Sequence, residues 1–71
     1  MKWRLIYNSG EIITLFKTSD ITLTNHNVYE SENIEDCFNL IVDLKLNFEF
    51  VYNNIIHTFI DGVQKVENID K

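Results

Sequence analysis

The chain has 71 residues and a formal net charge of −5, with 45% hydrophobic and 24% charged residues. This length predicts one domain with a thin core, and the apolar content is too high for a disordered segment. No apolar run approaches the roughly 18 residues of a membrane span, and the polar residues 8–10 follow the N-terminus where a secretory signal would be apolar. Its single cysteine, Cys37, cannot form an internal disulfide, so we expect a cytoplasmic protein.

The composition also indicates an AT-rich gene. Alanine and proline are absent, whereas isoleucine occurs ten times and asparagine nine times. Such a bias is typical of low-GC bacteria, their phages and some parasites, so we consider a phage or mobile-element origin.

The first third of the chain has the period-two alternation of strands. In residues 2–7, Trp3, Leu5 and Tyr7 share one face. Residues 8–11 supply turn chemistry, and residues 12–16 form a second strand rich in β-branched residues. Whether residues 21–24 form a third strand is left open, and residues 25–27 read as a polar loop.

An amphipathic helix is predicted over residues 34–46. Its apolar positions recur at spacings of three and four, and Ser31 or Asn33 can cap its start. Carboxylates in the first turn are favourable because they lie near the positive end of the helix dipole. The predicted buried face comprises Ile34, Cys37, Phe38, Ile41 and Leu44.

The opposite helix face is strongly acidic. No lysine or arginine occurs between Thr18 and Leu44, although exposed helices usually place lysines four residues from their acids. Two interpretations stay open: a surface that binds a basic partner, or a solvated helix face. The residues of the binding hypothesis are Glu32, Glu35, Asp36, Asn39 and Asp43.

Three further strands are predicted in the C-terminal third, at residues 48–52, 55–60 and 63–67. Asn53-Asn54 and Asp61-Gly62 supply the positive φ values that tight hairpins require. We therefore expect one domain over residues 1–67 and a frayed tail at 68–71.

The predicted fold is α+β: an antiparallel sheet of about five strands with one helix packed across it, in the order β-β-(β)-α-β-β-β. One helix covers three or four strands. We therefore expect a two-layer sandwich or a partial barrel. The strands that the helix leaves uncovered would be enclosed by curling of the sheet or covered by a second subunit. The predicted core includes Leu5, Phe16, Phe38, Ile41, Leu44 and Phe50.

Catalytic and ligand-binding motifs are weak throughout. Cys37 lies on the predicted buried face, where thiols are inert. His57 shares strand parity with Ile55 and Phe59, so it is either a partly buried packing residue or a pocket residue. Zinc spacing, a calcium-loop glycine and a glycine-rich phosphate loop are missing from the sequence. We predict no enzymatic activity, no metal and no cofactor.

The leading functional hypothesis is a small non-catalytic protein-interaction module, such as a phage inhibitor or adaptor, that presents the acidic helix face to a basic partner. The alternative is a self-assembling structural or accessory subunit, a homodimer joined through a sheet edge or face. Nucleic-acid binding by Lys2, Arg4 and Lys17 of the first hairpin is less favoured, because the net charge opposes contact with phosphates. The partner's identity is not encoded in any recognisable motif.

Overall fold

The computed structural model describes residues 1–20 and 25–69. It contains two three-stranded antiparallel sheets and one helix. The α+β class is therefore confirmed, whereas the predicted single sheet of about five strands differs from the two sheets in the structure. The elements are β1 (Lys2–Tyr7), β2 (Ile12–Thr18), β3 (Asn27–Ser31), α1 (Ile34–Leu44), β4 (Phe48–Tyr52), β5 (Ile55–Ile60) and β6 (Val63–Asn68).

The first sheet has the strand order β2-β1-β3. Its β1–β2 hairpin is closed by Asn8, whose side-chain oxygen accepts hydrogen bonds from the backbone N–H groups of Gly10 and Glu11, at 2.9 and 3.0 Å. The pairing shifts register between Ile6 and Tyr7. Strand β2 continues to Thr18, two residues beyond the predicted end.

Strand β3 was not predicted from the sequence. The candidate third strand at residues 21–24 lies outside the described residues, and β3 begins at Asn27, within the predicted polar loop. It pairs with β1, which places Tyr29 opposite Leu5 and Glu30 opposite Arg4. Because its own sequence has little apolar alternation, this strand depends on its pairing with β1.

The second sheet is a meander with the order β4-β5-β6. Both of its predicted turns are confirmed, since Asn53, Asn54 and Asp61 have φ values of 53°, 62° and 52°, and Gly62 has 82°. A Cβ atom at Gly62 would lie 3.2 Å from Lys45 Cγ, so this turn also packs closely against the helix end. Strand β6 continues to Asn68, one residue beyond the predicted end.

Helix α1 ends two residues before the predicted end. Lys45 adopts the left-handed conformation, with φ 57°, and its N–H donates to the carbonyl of Val42 at 3.1 Å. The N–H of Leu46 donates to the carbonyl of Ile41 at 3.3 Å. This pattern terminates the helix and turns Leu46 into the core.

The core lies between the apolar face of α1 and the inner faces of both sheets. The helix contacts β1 and β3 of the first sheet and β5 of the second. The Trp3 ring meets the rings of Phe50 and Tyr52 edge-on, with centroids 6.2 and 5.3 Å apart, so the two inner faces also touch each other. The two-sheet arrangement thus buries apolar surface that one helix could not cover.

Most of the predicted core residues are placed correctly. Leu5, Phe38 and Ile41 are buried, and the half-buried Phe50 packs against them. The prediction was wrong for Phe16, which is 36% exposed because it pairs with Arg4 on the outer face of the first sheet. It was also wrong for Leu44, which is 40% exposed at the last position of the helix.

Candidate functional site

The candidate site is built on the exposed side of α1. We use the term acidic helix surface for Glu32, Glu35, Asp36, Asn39 and Asp43, the five residues of the binding hypothesis. All are exposed except Asp36, which is half-buried. Helical spacing places Glu35, Asp36, Asn39 and Asp43 on one side of α1, whereas Glu32 precedes the helix, which begins at Ile34.

Asp36 differs from the other carboxylates because it also helps to begin the helix. Its Oδ2 atom accepts a hydrogen bond from the Ser31 hydroxyl at 2.6 Å, and the same hydroxyl accepts one from the backbone N–H of Asn33 at 3.1 Å. Asn33 is the N-cap residue, although its side chain makes no capping hydrogen bond. Asp36 therefore has a structural role, whereas Glu35 and Asp43 remain available to a partner.

No lysine or arginine among residues 1–20 and 25–69 forms an ion pair with a carboxylate of the acidic helix surface. The ion pair found there joins Arg4 to Glu30, with 2.7 Å between Nη2 and Oε2. The last turn of the helix has no basic residue. The carboxylates of Glu32, Glu35 and Asp43 therefore face solvent without a counter-ion from the described chain.

A groove of about 450 Å³ lies between α1 and the second sheet. Its helix wall includes Glu35 and Asn39, and its sheet wall includes Ile55, His57 and Val66. We call it the sheet groove. The inner face of the edge strand β6 is left open beside the helix, and Val66 on this face is therefore 58% exposed.

The floor of the sheet groove is formed by His57. Its ring stacks on the ring of Phe38, with centroids 4.6 Å apart and planes at 29°. The Gln64 side-chain nitrogen lies 3.2 Å from His57 Nδ1. Both interpretations of this histidine are thus combined: it packs against the core and it lines a pocket. The strand parity of His57 was the signal that could have located the groove.

A smaller depression of about 200 Å³ lies on the other side of the helix. It is lined by Tyr29 of β3 and by Asp36, Asn39, Leu40 and Asp43 of α1. Asn39 borders both concavities. The acidic helix surface therefore forms a ridge between two hollows, one facing each sheet.

The lone thiol is not part of this surface. Cys37 has no exposed area, and desolvation by burial, assisted by the Asp36 charge, raises the pKa of its thiol to about 11. A neutral buried thiol is a poor nucleophile. The predicted packing role of Cys37 is thus supported by its burial.

The three basic residues of the first hairpin do not form one patch. Arg4 is buried and paired with Glu30. Lys17 lies over the Trp3 ring, 5.8 Å from the centroid, whereas Lys2 is on the other face of the sheet, opposite Thr18. This arrangement offers no continuous basic track for a phosphate backbone.

No group of three or more His, Cys, Asp and Glu side chains suited to a metal ion is found among residues 1–20 and 25–69. Within the same part of the chain, no helix is both long and apolar enough to cross a bilayer. Comparisons with protein-family models, with curated proteins and with solved structures found no match.

Proposed function

We propose that this protein is a non-catalytic interaction module that binds a basic protein through the acidic helix surface. The observation that carries the proposal is the set of unneutralised carboxylates on a ridge between two hollows. Exposed acids alone would indicate only a solvated helix. Here the adjoining hollows offer the shape that a protruding side chain of a partner needs.

Charge and shape together define the chemistry of the partner. A lysine or arginine side chain could place its charged head beside Glu35 while its methylene stem lies over Ile55 and Val66 in the sheet groove. A second basic side chain could approach Asp43 from the smaller depression. The net charge of −5 would accelerate association with such a partner at low salt. An inhibitor that occupies a basic, nucleic-acid-binding channel is the most specific form of this proposal.

The test compares charge reversals that are matched in number but differ in position. Glu35→Lys with Asp43→Lys alters the acidic helix surface, and Glu11→Lys with Glu49→Lys alters exposed sites elsewhere. Each pair changes the net charge by the same amount. Asp36 is left intact because its hydrogen bond with Ser31 belongs to the helix start. Native circular dichroism serves as the folding control for all proteins.

Immobilised wild-type and variant proteins are exposed to cell lysate, and the bound proteins are identified by mass spectrometry and then purified for binding measurements. We expect a basic protein that binds the wild type and the Glu11/Glu49 variant but not the Glu35/Asp43 variant. Its affinity should fall steeply with salt, since exposed charges are screened over about 8–10 Å. Equal binding of one set of partners to all three proteins would show that the acidic helix surface is only solvated.

A further inference from the structure

Strand β6 is the most exposed of the six strands that the structure describes. All six of its residues are exposed, and in the described part of the chain it pairs only with β5. Its apolar residues Val63 and Val66 are 59% and 58% exposed, and Ile69, just beyond it, is 46% exposed. An unpaired edge of this kind is a template for another strand.

The hairpin register determines which backbone groups of β6 are free. Ile60 and Val63 flank the two-residue turn, so they form a hydrogen-bonded pair, and such pairs alternate along the ladder. Lys65 and Glu67 therefore bond to β5 through their backbones. The backbone N–H and C=O groups of three residues point away from β5: Gln64, Val66 and Asn68.

We propose that two copies of this chain pair through β6, antiparallel, with the two-fold axis at Val66. Val66 then faces Val66 of the partner subunit, and Gln64 faces Asn68 of the partner subunit. All three outward-pointing residues of each strand are used, which gives about six backbone hydrogen bonds between the copies. The result is one continuous six-stranded sheet, a homodimer of the isologous type.

The side chains select this register over its neighbours. With the axis at Val66, Lys65 lies opposite Glu67 of the partner subunit, and symmetry forms this pair twice. Moving the axis to residue 65 would oppose two lysines, and moving it to residue 67 would oppose two glutamates, which is destabilising. Moving it to a position between residues would align free backbone groups with groups already bonded to β5.

In the same register, exposed apolar residues pair at the two ends of the interface, beyond the pairs formed by Lys65 and Glu67. Val63 lies opposite Ile69 of the partner subunit, so these two exposed apolar side chains cover each other. On the inner side, Gln64 and Val66 line the sheet groove. Pairing at β6 therefore brings the sheet grooves of the two copies side by side. This interface leaves the acidic helix surface uncovered but shares Val66 with the sheet groove used in the function proposed above. Lys65 and Glu67 do not line that groove, so variants at these two residues test the dimer separately from that function.

A charge swap tests both the dimer and its register. Sedimentation equilibrium is measured over a wide concentration range for the wild type, Lys65→Glu, Glu67→Lys and the double variant that exchanges the two charges. We expect the wild type to dimerise and each single variant to dimerise about tenfold more weakly or worse, because each creates two like-charge pairs. The double variant restores the opposite charges and should recover the wild-type dimer constant. Glu49→Lys, on the far edge strand β4, is the control and should leave dimerisation unchanged.

A second variant removes the backbone donor itself. Proline is tolerated on an edge strand where its missing N–H would face solvent, so Val66→Pro should stay folded by circular dichroism and be monomeric. A wild type that remains monomeric up to about 1 mM, where even millimolar association would be seen, overturns the proposal. A folded Val66→Pro that dimerises like the wild type overturns it as well. Failure of the double charge swap to recover dimerisation overturns the register.

Discussion

The two sheets have the same number of strands and the same antiparallel pairing, yet they differ in how their central strands are buried. In β1, four consecutive residues from Trp3 to Ile6 are buried, so both faces of the strand are covered. In β5, Phe59 alone is buried. The outer face of the second sheet leaves Val51 and Ile60 more than half exposed.

This difference arises from what lies against each outer face. In the first sheet, Arg4 pairs with Glu30 and donates a hydrogen bond to the backbone carbonyl of Asp20, so Asp20 lies against the outer face of β1. The second sheet has no such cover in the described part of the chain. We infer that the first sheet mainly supports stability, whereas the second retains two surfaces for contacts, the sheet groove and the β6 edge.

The largest effect is expected where the helix and the second sheet depend on one side chain. Phe38 is buried and its ring contacts those of Phe50, His57 and Phe59. Phe38→Ala should lower the free energy of unfolding by about 3–5 kcal/mol, enough to unfold a domain of this size. Leu44→Ala, on the exposed end of the same helix, is the control and should cost far less in urea denaturation. Equal losses would contradict the assigned helix face.

The exclusion of water from the core around Cys37 can be tested through the pH dependence of stability. Burial raises the pKa of the Cys37 thiol to about 11, so the unfolded chain loses this proton at lower pH than the folded chain. The resulting stability is present below about pH 9 and is lost as pH rises through the folded pKa, by roughly 2–3 kcal/mol. Urea denaturation at successive pH values should show this fall in wild type. Cys37→Ala should lack that component, and parallel curves for the two proteins would mean that the thiol is solvated.

One matched pair of substitutions compares the two outer faces directly. Ile6 is 9% exposed on the first sheet, and Val51 is 55% exposed on the second. Ile6→Thr should cost about 2 kcal/mol because it places a hydroxyl at a buried site, whereas Val51→Thr should stay within about 0.5 kcal/mol. Thermal and urea denaturation measure both. Similar costs at the two sites would remove the distinction between the sheets.

The smallest effect is expected at the ion pair that closes the first sheet. Glu30→Gln removes the carboxylate that faces the buried Arg4, but the Glu30 side chain is 35% exposed and water can partly replace it. We expect a loss of about 1 kcal/mol. A double-mutant cycle with Arg4→Met isolates the coupling between the two side chains. Zero coupling would show that Arg4 is held by packing and by the Asp20 carbonyl alone.

Local chemistry explains which parts of the fold were predictable from the sequence. Asn53-Asn54 and Asp61-Gly62 identify their turns because few residues tolerate positive φ. Strand β3 was missed because its pairing partner is far away in sequence, as Leu5 opposite Tyr29 shows. The predicted single sheet differs from the two sheets of the structure for a related reason, since strand alternation does not reveal which strands are neighbours.

The candidate site was predictable only in part. Helical spacing groups Glu35, Asn39 and Asp43 on one side of the helix, and all three are exposed. The hollows beside them are created by elements distant in sequence, Tyr29 on one side and Val66 on the other. Their existence depends on tertiary arrangement, which periodicity does not encode.

The meander order of the second sheet also has a kinetic consequence. Within residues 1–20 and 25–69, strands β4, β5 and β6 pair only with their sequence neighbours, through two-residue turns. Hairpins of this kind form in about 1–10 μs. In the first sheet, β3 must pair with β1, from which it is separated in the sequence by β2. Closure of this sheet therefore has a higher contact order and a larger loop entropy cost. We therefore expect the more exposed second sheet to become ordered first, and the more buried first sheet to set the rate of folding.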